Sequence, residues 1–126
     1  MPTIQLTLKD FESKVQSGIV LIDWWASWCG PCRAFAPIYE SASGRHPDVV
    51  FAKIDTDADP QLATEFEIRS IPTLMAFRDG ILLMAQPGLV PAELLDHLVE
   101  EVRALDMDEV RRKIAEQEAE ADEEGT

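Results

Sequence analysis

Residues that bind transition metals are scarce in this chain of 126 residues. Its only cysteines are Cys29 and Cys32, and its only histidines are His46 and His97, neither of which lies near the cysteines in sequence. Because a structural zinc site needs about four such ligands, we expect no metal site. A purely structural disulfide is also disfavoured, since closing so small a ring would constrain the unfolded chain little.

Long apolar runs are missing as well. No stretch approaches the roughly 20 apolar residues that a membrane-spanning helix needs. Residues 1–6 lack the basic region and apolar core of a secretory signal. These absences predict a cytoplasmic protein, and in that compartment a close cysteine pair is more often catalytic than structural.

Positive charge is in short supply. The chain has 11 lysines and arginines against 24 acidic residues, a net charge of −13, which argues against nucleic acid or an anionic membrane as a partner. With 46% hydrophobic residues, the length suits one domain with its own core. We expect residues 1–105 to form that domain, as a monomer. Residues 106–126, with nine acids and three cations, should form an acidic, partly helical extension.

What the sequence does contain is a cysteine pair at the end of a predicted strand. Cys29 and Cys32 lie in the segment WCGPC, shortly after the apolar run Ile19–Ile22. A strand that ends in a Cys-x-x-Cys turn and opens a helix is typical of thiol–disulfide exchange. The sulfurs can meet across the first helical turn, and the helix N-terminus favours a thiolate there. The motif therefore predicts redox activity.

Hydrophobic periodicity predicts an α/β chain. Predicted strands cover residues 3–7, 19–25, 49–55, 73–77 and 81–85, and predicted helices begin near residues 7, 29, 59 and 91. The order β-α-β-α-β-α-β-β-α, with a hairpin signal at Asp79–Gly80, implies a central mixed sheet flanked by helices. A capping box at Asp106 predicts one more helical stretch. That stretch should fray from Glu116 to Glu124, where it is almost purely acidic.

In several runs the chain closely resembles the thioredoxin family. The runs are 20–37 (VLIDWWASWCGPCRAFAP), 51–57 (FAKIDTD), 68–73 (IRSIPT) and the turn at 78–80 (RDG), and the resemblance extends over roughly residues 6–105. It implies the thioredoxin fold, a dithiol that reduces the disulfides of client proteins, and recharging by a flavoprotein, thioredoxin reductase. It implies no cofactor other than the redox-active cysteine pair.

The resemblance also implies catalytic roles for five residues. Cys29 matches the nucleophile that attacks a client disulfide, and Cys32, expected to be more buried, matches the resolving thiol. Asp23, set among apolar residues, matches the base that takes the Cys32 proton, and Lys53 matches the lysine that pairs with this carboxylate. Pro72 matches a cis-proline that places the preceding backbone beside the sulfurs, ready to pair with an extended client segment.

Around the cysteines, the resemblance implies an apolar landing surface for clients. Its residues are Trp28, Gly30, Pro31, Ile71, Gly88 and Leu89. The chain departs from frequent family residues at Arg33, where Lys is frequent, and at Ser70, where Gly is frequent. These departures leave the chemistry intact and bear on client preference.

Two other functions on the same fold stay open from the sequence. A thiol oxidase or isomerase is disfavoured, because Gly30–Pro31 lacks the histidine usual in oxidising relatives. A chaperone would hold unfolded clients with its apolar surface and acidic extension, and the dithiol would be incidental. The extension itself is either a solubilising tail or a docking segment for a partner.

Overall fold

The computed structural model describes residues 3–124, so residues 1–2 and 125–126 of the two predicted segments lie outside the described range. The strands are β1 (Thr3–Gln5), β2 (Ile19–Trp25), β3 (Val50–Asp55), β4 (Thr73–Arg78) and β5 (Ile81–Pro87). The helices are α1 (Leu8–Val15), α2 (Gly30–Arg45), α3 (Pro60–Glu65), α4 (Ala92–Ala104) and α5 (Met107–Glu124). Up to α4, the elements follow the predicted order.

The strands in this range form one mixed sheet in the order β1-β3-β2-β4-β5. β3 pairs in parallel with β1 and β2, whereas β4 is antiparallel to β2, and β5 is antiparallel to β4. Parallel neighbours need long crossover connections; α2 supplies the one between β2 and β3, while α1 connects β1 to β2 on the far side of β3. The β4–β5 hairpin turns through Asp79 and Gly80, with φ values of 53° and 81°. The predicted fold class is confirmed.

Alternate residues of β2 face opposite helical layers. Leu21 packs in the cluster formed with α2 and α4, whereas Ile22 and Trp24 pack in the cluster formed with α1 and α3. Because β2 lies between β3 and β4 and is covered on both faces, a polar residue on it cannot reach solvent. Asp23, on the same face as Leu21, is accordingly 0% exposed.

The C-terminal extension differs from its prediction in one respect. Asp106 caps α5 as expected, because its Oδ1 accepts hydrogen bonds from the backbone N–H groups of Asp108 (3.0 Å) and Glu109 (3.3 Å). The helix does not fray at Glu116, however, but continues to the end of the described range. Alanine, glutamate and glutamine have high helix propensity, and Arg112 bridges Glu109 and Glu116 along one face.

The start of α5 is attached to the domain. Met107 is buried, and Arg111 forms an ion pair with Asp79 in the β4–β5 turn (Nη1–Oδ2, 3.9 Å). Beyond Arg111, by contrast, every residue up to 123 except Ile114 is exposed. The extension is therefore anchored at its start and surrounded by solvent along the rest of its length.

Candidate functional site

The two cysteines lie where β2 gives way to α2. Cys29 is the N-cap of α2, and Pro31 and Cys32 are in its first turn. The two sulfurs form a disulfide, with a Cα–Cα distance of 5.2 Å. The pair therefore meets across the first helical turn, as the Cys-x-x-Cys spacing predicts.

The helix N-terminus acts directly on the Cys29 sulfur. The backbone N–H of Cys32 donates to Cys29 Sγ at 3.2 Å, and the carbonyl oxygen of Ile71 lies 3.6 Å from the same sulfur. A backbone N–H directed at a sulfur, at the positive end of a helix dipole, stabilises the thiolate once the disulfide is reduced. This geometry favours Cys29 over Cys32 as the attacking thiol.

Burial, however, does not separate the two cysteines. Cys29 is 4% exposed and Cys32 is 3% exposed, so Cys32 is the more buried of the two, as expected, but by a margin too small to distinguish them. The physical reason is that the loop carrying Ile71 covers Cys29 as well. The two cysteines differ in their position at the helix terminus, not in their access to solvent.

The loop before β4 contains the predicted cis peptide bond, between Ile71 and Pro72. The carbonyl oxygen of Pro72 accepts a hydrogen bond from the N–H of Gly88 at 2.8 Å. Gly88 has a φ of 91°, a conformation that glycine adopts readily because it has no Cβ. The end of β5 is thereby tied to the loop beside Cys29, and Gly88 comes to lie next to Pro72.

Much of the predicted landing surface is open to solvent. Trp28 is 67% exposed and Leu89 is 43% exposed, and Gly30 and Pro31 are also exposed. The Trp28 indole is held in place because its Nε1–H donates to Asp57 Oδ2 at 2.9 Å. Sequence reasoning missed Asp57, although a carboxylate just after a buried strand was a usable signal.

Beside Trp28 and Ile71, the surface opens into a groove of about 370 Å³. Its lining residues are Trp28, Thr56, Ile68, Arg69, Ser70 and Ile71. The sequence placed Trp28 and Ile71 near the cysteines but did not assign the other four to a site. Three of these four directly precede Ile71 in the run 68–73, and that adjacency was the available signal.

Asp23 is the only buried acidic side chain in residues 3–123. Neither of its oxygens accepts a hydrogen bond from a described residue. Burial raises the pKa of Asp23 to about 7, although the positive charge of Lys53 lowers it in part. A carboxyl group that titrates near neutral pH can both take up and release a proton under working conditions.

Lys53 lies opposite Asp23 in the register of β2 and β3, but the two side chains do not form the expected direct ion pair. The Lys53 Nζ lies 4.9 Å from the centroid of the Trp25 ring, where cation–π attraction holds it. Lys53 is half-buried. Moving its ammonium group into the core beside the Asp23 carboxylate would cost desolvation free energy, which the attraction between the two charges need not offset. Lys53 therefore acts on Asp23 through space.

A disulfide that closes across one helical turn can be reduced and formed again without refolding the chain. Here it lies next to a backbone carbonyl and an open groove, which suit an extended polypeptide. The fold and the site thus define a thiol–disulfide exchange protein that acts on other polypeptides.

Comparison with known proteins identifies the family. The family model described as Thioredoxin matches residues 2–103. A Streptomyces coelicolor protein designated thioredoxin 2 is 50% identical over 120 residues, covering 94% of this chain and 90% of that protein. The thioredoxin of Staphylococcus epidermidis is 39% identical over 101 residues, covering 79% and 97%. The chain belongs to the thioredoxin family, and it is a thiol–disulfide oxidoreductase that reduces protein disulfides.

Solved structures agree with this assignment. A thioredoxin variant from Halobacterium salinarum superposes with a TM-score of 0.76 at 30% identity, covering 82% of this chain and 93% of that chain. Oxidized mitochondrial thioredoxin 3 from Saccharomyces cerevisiae gives a TM-score of 0.72 at 31% identity, covering 78% and 94%. The oxidase, isomerase and chaperone alternatives gain no support from these comparisons.

The Streptomyces protein is also informative about the extension. The alignment covers 94% of this chain. The residues that it leaves unaligned are fewer than the residues of the extension, 106–126, so the similarity extends into α5.

Within residues 3–124, no helix has both the length and the apolar character of a membrane-spanning segment.

Proposed function

We propose that Cys29 and Cys32 are the attacking and resolving thiols of a two-step exchange with client proteins. Reduced Cys29, as a thiolate, attacks one sulfur of a client disulfide; the client S–S bond breaks, the other client sulfur leaves as a thiolate, and a mixed disulfide forms. Cys32 then loses its proton and attacks Cys29 Sγ. This forms the Cys29–Cys32 disulfide and releases the second client thiolate. Two electrons pass from the dithiol to the client.

A single observation carries this assignment of roles. The N–H of Cys32 donates to Cys29 Sγ at the start of α2, so the helix stabilises negative charge on Cys29 before the attack. Cys32 lies inside the first turn, close enough to close the ring afterwards.

Asp23 is the proposed base for the second step. Its raised pKa, about 7, supports a role in which the carboxylate takes the Cys32 proton and later releases it. Lys53 keeps that pKa from rising further, because its positive charge favours the ionised carboxyl group. Lys53 is thus a positioning charge for the base rather than a group that touches the reacting sulfurs.

The remaining site residues bind the client. An extended client segment would pair with the backbone of Ile71 ahead of Pro72 and cover the exposed faces of Trp28 and Leu89. Gly30, Pro31 and Gly88 leave room for the client backbone, because none of them carries a large side chain. This surface lets many different disulfide-bearing segments reach Cys29.

The proposed partners follow from the family. Clients are cytoplasmic proteins with accessible disulfides, and a flavoprotein, thioredoxin reductase, returns two electrons to the Cys29–Cys32 disulfide after each cycle. The chain itself needs no bound cofactor in this scheme, since the cysteine pair carries the electrons.

Two serine variants test the assignment. Cys29→Ser should abolish reduction of insulin disulfides, because the attacking sulfur is gone. Cys32→Ser should instead accumulate a mixed disulfide with the client through Cys29, detectable by non-reducing electrophoresis and mass spectrometry. Circular dichroism of both variants serves as the control for folding. A mixed disulfide trapped by Cys29→Ser, or faster alkylation of Cys32 than of Cys29 in the reduced protein, would reverse the two roles.

A further inference from the structure

The groove beside Trp28 adjoins the reacting sulfur through Ile71. Ile71 lines the groove, and its carbonyl oxygen lies 3.6 Å from Cys29 Sγ. A client segment joined to Cys29 and extended along Ile71 therefore has its neighbouring residues over the groove. Successive residues of an extended chain advance about 3.3 Å and alternate in direction, so side chains one to three positions from the client cysteine can enter it.

Arg69 is the only charged residue among the groove's lining residues. The others are Trp28, Thr56, Ile68, Ser70 and Ile71. Arg69 is exposed. Asp57 is the nearby carboxylate that holds Trp28, and its Oδ2 already accepts the indole N–H. A client side chain that enters the groove therefore meets an apolar floor, two hydroxyl groups and one guanidinium.

Arg69 also differs from the other arginines of the chain in its contacts. Within residues 3–124, the guanidinium groups of Arg33, Arg45, Arg78, Arg103, Arg111 and Arg112 each contact a carboxylate or a backbone carbonyl. Arg69 has no ion pair or side-chain hydrogen bond to a described residue. In a chain with 24 acidic residues against 11 lysines and arginines, its five N–H donors are left for a group from outside the chain.

We propose that Arg69 is a specificity-determining residue that favours client disulfides flanked by Asp or Glu. This inference rests on the proposed function and names a substrate class for it. A guanidinium binds a carboxylate through charge-assisted, often bidentate hydrogen bonds, and its aliphatic stem can lie along Ile68. The pair would be partly exposed, and such pairs contribute modestly, so we expect about a two- to fivefold preference in rate.

The net charge of the chain works against acidic clients, so the test must separate a local contact from long-range repulsion. Lys14 provides the matched control. It is an exposed cation in the last turn of α1, near the start of β2, whereas Cys29 follows the end of β2. Lys14→Gln removes one positive charge near the start of β2, and Arg69→Gln removes one near the end of β2, where Cys29 follows.

The experiment uses two peptides, each with one intramolecular disulfide, identical except that the residues flanking both cysteines are Glu in one and Gln in the other. The reduced full-length protein is mixed with each peptide, and acid-quenched samples give the second-order rate constant for peptide reduction. The quantity compared is the ratio of the Glu-peptide rate to the Gln-peptide rate. Wild type, Arg69→Gln, Arg69→Lys and Lys14→Gln are measured at low and at high salt.

In Arg69→Gln the ratio should fall about two- to fivefold at low salt, with the Gln-peptide rate nearly unchanged. Arg69→Lys should keep part of the preference, and high salt should shrink the difference between wild type and Arg69→Gln. An equal shift in Lys14→Gln would assign the effect to total charge and overturn the inference. Equal slowing of both peptides by Arg69→Gln would also overturn it. Losing a contact with a carboxylate cannot slow the reduction of the Gln peptide, which has no carboxylate at the flanking positions. If wild type reduces neither peptide, the proposed function itself fails.

Discussion

The carboxyl groups beneath α2 and along α5 lie in opposite environments, one buried in the core and the others at the surface. Asp23 is buried in the central strand and accepts no hydrogen bond from a described residue, and burial raises its pKa to about 7. On α5, by contrast, Glu109 and Glu116 are paired with Arg112 at the surface. Asp48 shows the same contrast within the domain, since a hydrogen bond from Arg103 lowers its pKa.

The difference shows that the acidic character of a sequence says little about which acid is functional. Of 24 acidic residues, those at the surface give the protein its negative charge and its solubility. Breaking one of their ion pairs changes the free energy of unfolding little. Asp23, the one buried acid among residues 3–123, has its pKa raised by burial. Its burial costs stability and supplies a proton acceptor near neutral pH. Neutralising one acid in each region therefore separates chemistry from solubility.

The largest expected effect is on stability. In Asp23→Asn, the oxidised protein should be more stable than wild type at pH 8 by about 4 kcal/mol, since a tenfold change in proton affinity between the unfolded and folded states corresponds to about 1.4 kcal/mol. The sign follows from the raised pKa in the folded state: wild type loses stability as pH rises from the unfolded value of 3.8 towards 7. The advantage of the variant should thus be about 2–3 kcal/mol smaller at pH 5.

Urea unfolding of oxidised wild type, Asp23→Asn and Glu118→Gln at pH 5 and pH 8 measures this difference. Glu118 is exposed on α5, so its neutralisation should leave the free energy of unfolding within about 0.5 kcal/mol at both pH values. An Asp23→Asn advantage that does not grow with pH would contradict the raised pKa.

The next effect is on the second step of exchange. Asp23→Asn should slow resolution of the mixed disulfide by about 10²-fold at pH 7, which is typical for loss of a general base, while the first attack by Cys29 stays within a few-fold of wild type. Rapid-quench kinetics with a disulfide peptide resolves the two steps, and Glu118→Gln is the matched control. Equal slowing of both steps would argue against the base role and for a general disturbance of the site.

The fold was predictable because its signals are local. Nearly all-apolar β2, the Asp79–Gly80 hairpin and the cysteine motif each specify one element, and the element order then leaves few arrangements. The cis bond before Pro72 came from the family resemblance and is present in the structure. By contrast, the position of the Lys53 ammonium depends on a competition between the Asp23 carboxylate and the Trp25 ring, which no local pattern reveals.

The site was only partly predictable for a similar reason. The family resemblance places the backbone of Ile71 beside the sulfurs, but no local pattern near Cys29 shows how far that loop shields it from solvent, and Cys29 is almost as buried as Cys32. The part of the groove formed by Thr56 and Arg69 joins two segments that are distant in sequence. The persistence of α5 beyond Glu116 reflects ion pairs and helix propensity, which outweigh the charge repulsion that suggested fraying.

The smallest effects are expected from α5. Deleting residues 106–126 should lower the free energy of unfolding by about 1–2 kcal/mol, because the buried Met107 side chain is lost from the domain surface. Deleting only residues 116–126 should change it by no more than about 0.5 kcal/mol, since the residues described there are exposed. Both deletions should leave the rate of peptide-disulfide reduction unchanged. Urea unfolding and reductase-coupled turnover at low and high salt measure these quantities. A large, salt-sensitive loss of turnover on removing residues 116–126 would show instead that the acidic helix docks on the reductase or client.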